Sequence, residues 1–305
     1  MLSGLAPLLH VRPELEDFCR FGGDWRSPHD QMHGGAHFHI VTQGQCVLER
    51  SHRDVLTLQA GDVLLLPHGD RHVLRAPNAG PAGGPPVSVT YSNAIRIKTS
   101  VGVGIGAELI CGSLHFEVAP DNLVIAALPD VIVLRAGQEA LAERFVALMA
   151  SIRDELDGAR PGAASIAADL ARAMFVMMLR RHLEDHPPPA GLLALLAHGM
   201  TAPAALAMLR DPARDWSLDA LADIAAASRA TLVRAFRKTA GVPPLTFLMG
   251  LRLGLARQLL LAGHESVGQI ADAVGYQSEA AFSRAFLRQF GVRPGRLRGR
   301  KAAAF

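Results

Sequence analysis

Short runs of alternating apolar and polar residues dominate residues 36–135, and this pattern predicts β-strands. The runs are rich in Val, Ile, Leu and Thr, and they are HFHIVTQGQCVLER, DVLTLQAGDVLLLP, HVLRAP, PVSVTYSNAIRIK and AELICGSLHFEV. Glycine, proline and asparagine separate the runs, as expected for turns. Many short strands at regular spacing are typical of a sandwich or barrel, so we expect an all-β unit here.

The apolar spacing changes to three and four residues after position 138, which predicts a helical hairpin over 138–185. Its expected inward faces are Leu141, Phe145, Leu148 and Ile152 in the first helix, and Ile166, Leu170, Met174, Met177 and Met178 in the second. The hairpin either caps the sheet or forms a homodimer interface. Three prolines in EDHPPPAG cannot continue a helix, so we place a domain linker at 188–200.

The last hundred residues contain an internal repeat. The segments SRATLVRAFRKTAGVPP (228–244) and SEAAFSRAFLRQFGVRP (278–294) share eight of seventeen residues. Each follows a short helical segment, SLDALADIA or SVGQIADAV, and Ser266 with Gln269 fits a capping box. Both copies therefore predict the helix-turn-helix arrangement. The residues expected to face inward are Ala222, Leu232 and Phe236 in the first copy and Ala271, Phe282 and Phe286 in the second.

The charge distribution indicates what the repeat binds. Residues 200–305 carry 15 Lys+Arg and 7 Asp+Glu, whereas the whole chain has a net charge of only +3. A basic helical segment favours double-stranded DNA as partner over a helical array that binds protein. We find no signal-peptide pattern and no charge-free apolar stretch of membrane-spanning length, and there are three cysteines. We therefore expect a cytoplasmic protein without a membrane segment.

Residues 201–298 resemble the AraC/XylS family of bacterial transcription regulators, and ADAVGYQSEAAFSRAFLRQFGVRP is similar to the family's second-motif signature. The resemblance implies two tandem helix-turn-helix units on promoter DNA, with RNA polymerase as a further partner. The base-reading positions it implies are Arg229, Ala230, Val233 and Arg234 in the first recognition helix, and Glu279, Ala280, Ser283 and Arg284 in the second. The chain departs from the family at AAAS (225–228), where a glycine often precedes the serine.

The segment GDVLLLPHGDRH (61–72) resembles the second sequence box of the cupin barrels, and HFH (37–39) resembles the start of the first. Cupin enzymes hold a metal with three histidines and a glutamate, so the resemblance implies His37, His39 and His72 as candidate ligands. Gln43 or Gly44 stands where the glutamate is usual, which argues against a catalytic iron or manganese centre. The alternative for His72 is a hydrogen bond to the backbone at the end of a turn.

The stretches FCRFGGDWRSPH and LICGSLHF resemble AraC-type regulators that respond to hypochlorous acid. That resemblance implies an oxidisable pair, Cys19 and Cys111, beside His39 and His72. The adjacent cation of Arg20 would favour the reactive thiolate of Cys19. A thiol oxidises through sulfenic acid to a disulfide when a second thiol is within reach. Alternatively, the two cysteines and two histidines form a zinc site, or the cysteines are buried apolar residues.

Together these patterns predict an α+β protein. A cupin-like β-barrel with a helical hairpin occupies residues 1–187, and an all-α tandem helix-turn-helix domain occupies 201–305. The predicted function is a sequence-specific transcription regulator whose N-terminal domain senses an oxidant or a small ligand. The alternative is a metal-dependent cupin enzyme fused to a DNA-binding tail, and the missing glutamate disfavours it.

Overall fold

The structure is a computed structural model. It describes residues 11–50, 55–80, 84–92, 95–116, 124–125, 127–135, 141–158, 160–188 and 190–297. The described residues form two compact units. The β unit spans 11–116 and 128–184, and the helical unit contains the residues from 185 onward. The predicted α+β class is confirmed.

The β unit is built from two sheets. Its strands are β1 (Val11–Phe21), β2 (Arg26–His29), β3 (Gly35–Gln43), β4 (Gln45–Arg50), β5 (Leu56–Gln59), β6 (Val63–Leu66), β7 (His72–Arg75), β8 (Val87–Ser92), β9 (Ile95–Ser100), β10 (Ala107–Phe116) and β11 (Ile132–Leu134). One sheet has the order β11-β6-β3-β10-β1-β9-β8, and the other has the order β2-β7-β4-β5. All described pairs are antiparallel except β1 with β9.

Side chains from both sheets share one apolar core. Alternate positions of β1, β3, β6 and β10 contribute to it, together with residues of β4, β5 and β7. The largest members are Phe21, Trp25, Leu48, Leu58, Leu64, Leu66 and Leu74. Because the side chains of a strand alternate between faces, a residue two positions from a core residue also faces the core. This rule places His39, two residues before the core residue Val41, inside the unit.

The helical hairpin consists of α1 (Leu141–Gly158) and α2 (Ala163–Asp185). In α1, Phe145 and Ile152 are buried and Leu148 is half-buried, while the side chain of Leu141 lies outside the described residues. In α2, Met174 and Met178 are buried as predicted, and Leu170 and Met177 are half-buried. The prediction for Ile166 is wrong, because this side chain is 47% exposed. The buried row instead begins with small residues: Ala163, Ala167 and Ala171.

Seven helices form the described part of the helical unit. They are α3 (Leu192–Ala197), α4 (Ala202–Arg210), α5 (Leu218–Ile224), α6 (Arg229–Ala240), α7 (Pro244–Ala262), α8 (Val267–Ala273) and α9 (Glu279–Phe290), and a 3-10 turn follows at Pro294–Arg296. Helix α3 lies inside the segment that we predicted as linker. The prolines after α2 end that helix, but the chain resumes a helix after Gly191 and buries Leu193, Leu195 and Leu196.

Helix pairs α5–α6 and α8–α9 are the two predicted helix-turn-helix units. The six residues expected to face inward are all buried. Ser266 and Gln269 form the predicted capping box. By length and composition alone, α7 is apolar enough to cross a membrane. Here, however, seven of its residues are buried, and its Leu253, Ala256 and Leu260 share a core with α8 and α9.

Arg252 on α7 fixes the second turn against the loop before α5. Its Nε donates to the carbonyl of Pro212 at 2.7 Å, and its Nη1 donates to that of Gly275 at 3.0 Å. Its Nη2 donates to the carbonyls of Arg214 at 2.8 Å and Ala213 at 3.4 Å. Burial lowers the pKa of Arg252. Hydrogen bonds from a charged donor are stronger than neutral ones, so one side chain holds two loops together.

The two turns use different residues for the same backbone conformation. Gly275 in the second turn has a φ of 84°, and Ala226 in the first turn has a φ of 48°. A positive φ is easy for glycine and strained for alanine. The AAAS segment, which departs from the family pattern, therefore keeps the turn and accepts the strain at Ala226.

Replacing Gly275 tests how closely the second turn is packed. A Cβ there would lie 2.5 Å from the carbonyl oxygen of Ala213, whereas Gly241, with a φ of 76°, has no such neighbour within 4 Å. We expect Gly241→Ala to cost roughly 1–2 kcal/mol from its φ alone. Gly275→Ala should cost about 1–3 kcal/mol more because of overpacking. Guanidinium unfolding, followed by Trp216 fluorescence in a Trp25→Phe background, measures both. Equal losses would remove the packing argument.

Candidate sensor site and DNA interface

Four histidine rings meet inside the β unit. His29 on β2 is the cross-strand partner of His72 on β7, and their rings stack with centroids 4.7 Å apart and planes 5° apart. His39 on β3 meets His72 with the two Nε2 atoms 2.8 Å apart. The ring of His37 lies 5.1 Å from that of His72, between centroids. His37, His39 and His72 were predicted from the sequence as candidate metal ligands, but His29 was not.

Burial keeps the imidazoles of His29, His39 and His72 uncharged. It is the largest cause that lowers the pKa of His39 well below its usual 6.5, with His29 next. Burial, followed by the neighbouring His72, lowers the pKa of His29 to about 3. Burial also lowers the pKa of His72 to about 4, although a hydrogen bond to the Asp70 backbone opposes this shift. Neutral imidazole is the form that binds metals.

The hydrogen bonds assign the tautomers. His72 Nδ1 lies 2.8 Å from the Asp70 carbonyl, which only accepts, so Nδ1 carries the proton and Nε2 carries a lone pair. The 2.8 Å contact then requires His39 Nε2 to donate to His72 Nε2. His39 Nδ1 is left as a bare acceptor, and among the described residues it has no hydrogen-bond partner although it is buried. The backbone bond expected for His72 is thus present, but it occupies only one ring nitrogen.

The two cysteines predicted to pair approach this cluster from neighbouring strands. Cys111 on β10 lies directly opposite His39 on β3. Hydrogen bonding with the Cys19 thiol on β1, followed by burial, raises the pKa of Cys111 well above its usual value. Both thiols are free and buried. The structure therefore brings Cys19, His39, His72 and Cys111 together.

Cys46 shares the apolar core but not the thiol contact. Burial, followed by the charge of Asp62, raises the pKa of Cys46 to about 12. It therefore serves as a matched buried cysteine for comparison with Cys19 and Cys111.

One metal-binding set stands out in the cluster. The ligand atoms of His29, His39 and Cys111 all lie within 4.8 Å of one another. His37 is turned toward the backbone, with its Nε2 2.9 Å from the Asp30 carbonyl. His29 lies outside both cupin boxes. It ends the stretch FCRFGGDWRSPH, whose resemblance to oxidant-responsive regulators assigned it no role. Its pairing with His72 across β2 and β7 is visible in the fold.

Charged residues border the thiols on the strands that carry them. Glu108 on β10 pairs with Arg20 at 3.3 Å and with Arg153 of α1 at 3.0 Å. Buried Asp17 pairs with Lys98 at 2.7 Å and with Arg96 at 2.8 Å. The expected effect of Arg20 on the Cys19 thiolate stays a prediction. Adjacent residues on a strand point to opposite faces, and the charge of Arg20 is balanced by Glu108.

The predicted base-reading residues begin the second helix of each repeat. Ser228 and Ser278 cap α6 and α9 by accepting from the backbone N–H three residues on. The exposed positions are Arg229, Ala230 and Arg234 on α6 and Glu279, Ala280 and Arg284 on α9, while Val233 and Ser283 are half-buried. Two of the arginines are already engaged: Arg229 pairs with Asp219 at 2.9 Å, and Arg234 donates to Thr231 Oγ1 at 3.2 Å.

Known proteins resemble both units. A family model described as a cupin matches residues 2–184, and one described as a helix-turn-helix domain matches residues 221–300. A putative AraC-like transcription regulator of Streptomyces lividans is 35% identical over 97% of each chain. The RCS-specific HTH-type transcriptional activator RclR of Escherichia coli (strain K12) is 28% identical over 98% of this chain and 97% of that protein.

A solved structure is similar to part of this chain. It is a transcriptional regulator with an AraC-type DNA-binding domain from Chromobacterium violaceum, and it shares 31% identity over 35% of this chain and 95% of that chain, with a TM-score of 0.33.

Proposed function

Since this chain belongs to the AraC family of helix-turn-helix transcription regulators with an N-terminal cupin domain, we propose that its β unit senses an oxidant through Cys19 and Cys111. Its family membership makes it a DNA-binding regulator rather than an enzyme. The observation that carries the sensing proposal is the placement of the two cysteines in one buried core, on the paired strands β1 and β10. Small-ligand sensing stays a prediction.

Hypochlorous acid is the oxidant class that we assign, because the related E. coli activator is named RCS-specific. The acid transfers its oxygen to one thiol, which becomes a sulfenic acid, and chloride and a proton are released. The second thiol then attacks the sulfenic sulfur and releases water, which leaves a disulfide. Hypochlorous acid is uncharged, so it enters a dry core at a lower desolvation cost than an ionic oxidant.

The strand register implies that forming this disulfide requires β1 and β10 to move. Cys19 lies opposite Leu109, and Cys111 lies opposite Asp17, so the two cysteines are diagonal neighbours across β1 and β10. Diagonal neighbours have Cα atoms about 7–8 Å apart, whereas a disulfide needs roughly 4.4–6.8 Å. Closing the bond therefore requires β1 and β10 to shift.

A shift of these strands would alter the ion pairs that connect the sheet to the helical hairpin. Arg20 on β1 and Arg153 on α1 both pair with Glu108 of β10. Moving β1 against β10 changes the distance between Arg20 and Glu108. The ion pair between Glu108 and Arg153 then becomes weaker or stronger. These contacts also favour the hairpin as a cap on the sheet over its alternative as a homodimer interface.

DNA reading is assigned to the exposed starts of α6 and α9. Arg234 and Arg284 are suited to the paired acceptors on a guanine edge, and Ala230 and Val233 are suited to thymine methyl groups. Arg229, Glu279, Ala280 and Ser283 complete the proposed surface. RNA polymerase is the further partner, and the cytoplasm is the compartment that this function requires.

Arginine substitution tests the reading surface. Arg234→Ala or Arg284→Ala should each weaken binding by about 1–3 kcal/mol through loss of a base contact. The duplex is selected from random sequences with the full-length protein, and binding is followed by fluorescence anisotropy on that duplex and on a scrambled one. Arg71→Ala, which removes an exposed charge from the β unit, is the control. Equal losses on both duplexes would reassign that arginine to phosphate contact.

Cysteine substitution tests the sensor. Hypochlorous acid should produce a Cys19–Cys111 disulfide, detected by mass spectrometry of unreduced peptides, and should change transcription in vitro from a promoter that carries the selected duplex. Cys19→Ser and Cys111→Ser should each abolish both effects, because each removes one of the two required thiols. Cys46→Ser should retain both, because Cys46 takes no part in the thiol contact. An undiminished response in both single variants would refute the thiol sensor.

A further inference from the structure

We propose that the β unit binds one zinc ion through His29, His39 and Cys111, with a water molecule as the fourth ligand. We further infer that this ion and the Cys19–Cys111 disulfide exclude each other, a step that rests on the proposed function. The set differs from that implied by the cupin boxes, because His29 and Cys111 lie outside both boxes and His37 is not a member.

The distances fit a site that closes around an ion. The three ligand atoms of His29, His39 and Cys111 lie within 4.8 Å of one another. In a tetrahedral zinc site with bonds of about 2.0–2.3 Å, ligand atoms are roughly 3.3–3.6 Å apart. Each atom therefore needs to move by about 1 Å or less, which side-chain rotation supplies without a change in the strands.

His39 supplies an independent reason for a cation. Neutral His39 has two ring nitrogens, and only Nε2 has a hydrogen-bond partner among the described residues. A buried acceptor without a partner costs about 1–3 kcal/mol. A cation bound at Nδ1 removes this cost, because it takes that lone pair and leaves Nε2–H donating to His72.

His72 holds His39 in the orientation that ligation requires. Its Nδ1–H donates to the Asp70 carbonyl at 2.8 Å, so its Nε2 lone pair accepts from His39 Nε2–H. Metal-binding histidines commonly donate their other N–H to such an acceptor. His37 is not a member of the set, since its Nε2 is held by the carbonyl of Asp30 and its ring centroid is 6.4 Å from that of His39.

The donor chemistry selects the metal class. Two imidazole nitrogens and one thiolate, with no carboxylate in the set, suit zinc rather than magnesium, calcium or manganese. Binding displaces the proton of the Cys111 thiol, because a metal binds cysteine as the thiolate.

The two reactions compete for one sulfur. Zinc uses the lone pairs of Cys111 as thiolate, whereas the disulfide joins the same sulfur to Cys19. Cys19 is not in the ligand set, so zinc-loaded protein leaves it as a thiol without an available partner. Zinc is expected to slow disulfide formation by at least tenfold, and oxidation that succeeds is expected to release the ion.

Metal titration of the reduced, tag-free, full-length protein tests the site. Zinc should bind one ion per chain by calorimetry, and cobalt as a spectroscopic stand-in should give a thiolate-to-cobalt charge-transfer band. Cys111→Ser should abolish the band, and His29→Gln should weaken cobalt binding at least tenfold. Cys19→Ser should keep the band, and His33→Ala, which removes an exposed histidine, should match the unmodified protein.

The outcomes separate the two proposals. If the unmodified protein gives no band, or if Cys111→Ser retains it, the zinc site is overturned whatever the fate of the disulfide. If Cys19→Ser binds cobalt normally but the unmodified protein forms no disulfide, the thiol sensor fails and the zinc site stands. Equal rates of disulfide formation with and without zinc would overturn the exclusion.

Discussion

Burial inside the β unit keeps His29, His39, His72 and Cys111 uncharged, and the chemistry proposed for the sensor site depends on this constraint. Water would solvate charged imidazoles and thiolates, but the core replaces water with leucine, phenylalanine and tryptophan side chains. The pKa values of His29, His39 and His72 fall and that of Cys111 rises. The site thus holds neutral donors close together, a combination that favours reaction with small electrophiles and soft cations.

The helical unit shows which sequence patterns carry structural information directly. Its repeat, its inward residues and its capping box follow from local rules, because helix periodicity and N-capping act within a few residues. The structure adds what local rules omit. Arg252 connects α7 to two loops that are distant in sequence, and Ala226 adopts a conformation that composition does not favour.

The β unit contains features that the sequence alone does not predict. The strands after residue 36 were predicted from alternation, but β1 was not, because buried Asp17 interrupts its apolar pattern and is compensated by Lys98 and Arg96 from β9. The proximity of Cys19 to Cys111 was predicted from resemblance alone, since 92 residues separate them. His29 was missed because its significance depends on which strand lies beside it. Such cross-strand neighbours are set by long-range pairing, which a single sequence does not display.

The diagonal placement of Cys19 and Cys111 also determines how the protein would return to its resting state. A disulfide that forces two strands out of register is strained, and strained disulfides are more readily reduced. The thiol reductants of a cytoplasm would then reopen the bond once the oxidant is consumed. The same offset that couples oxidation to a strand movement would therefore also make the disulfide easy to reverse. Gene expression would then follow the duration of the stress rather than its first occurrence.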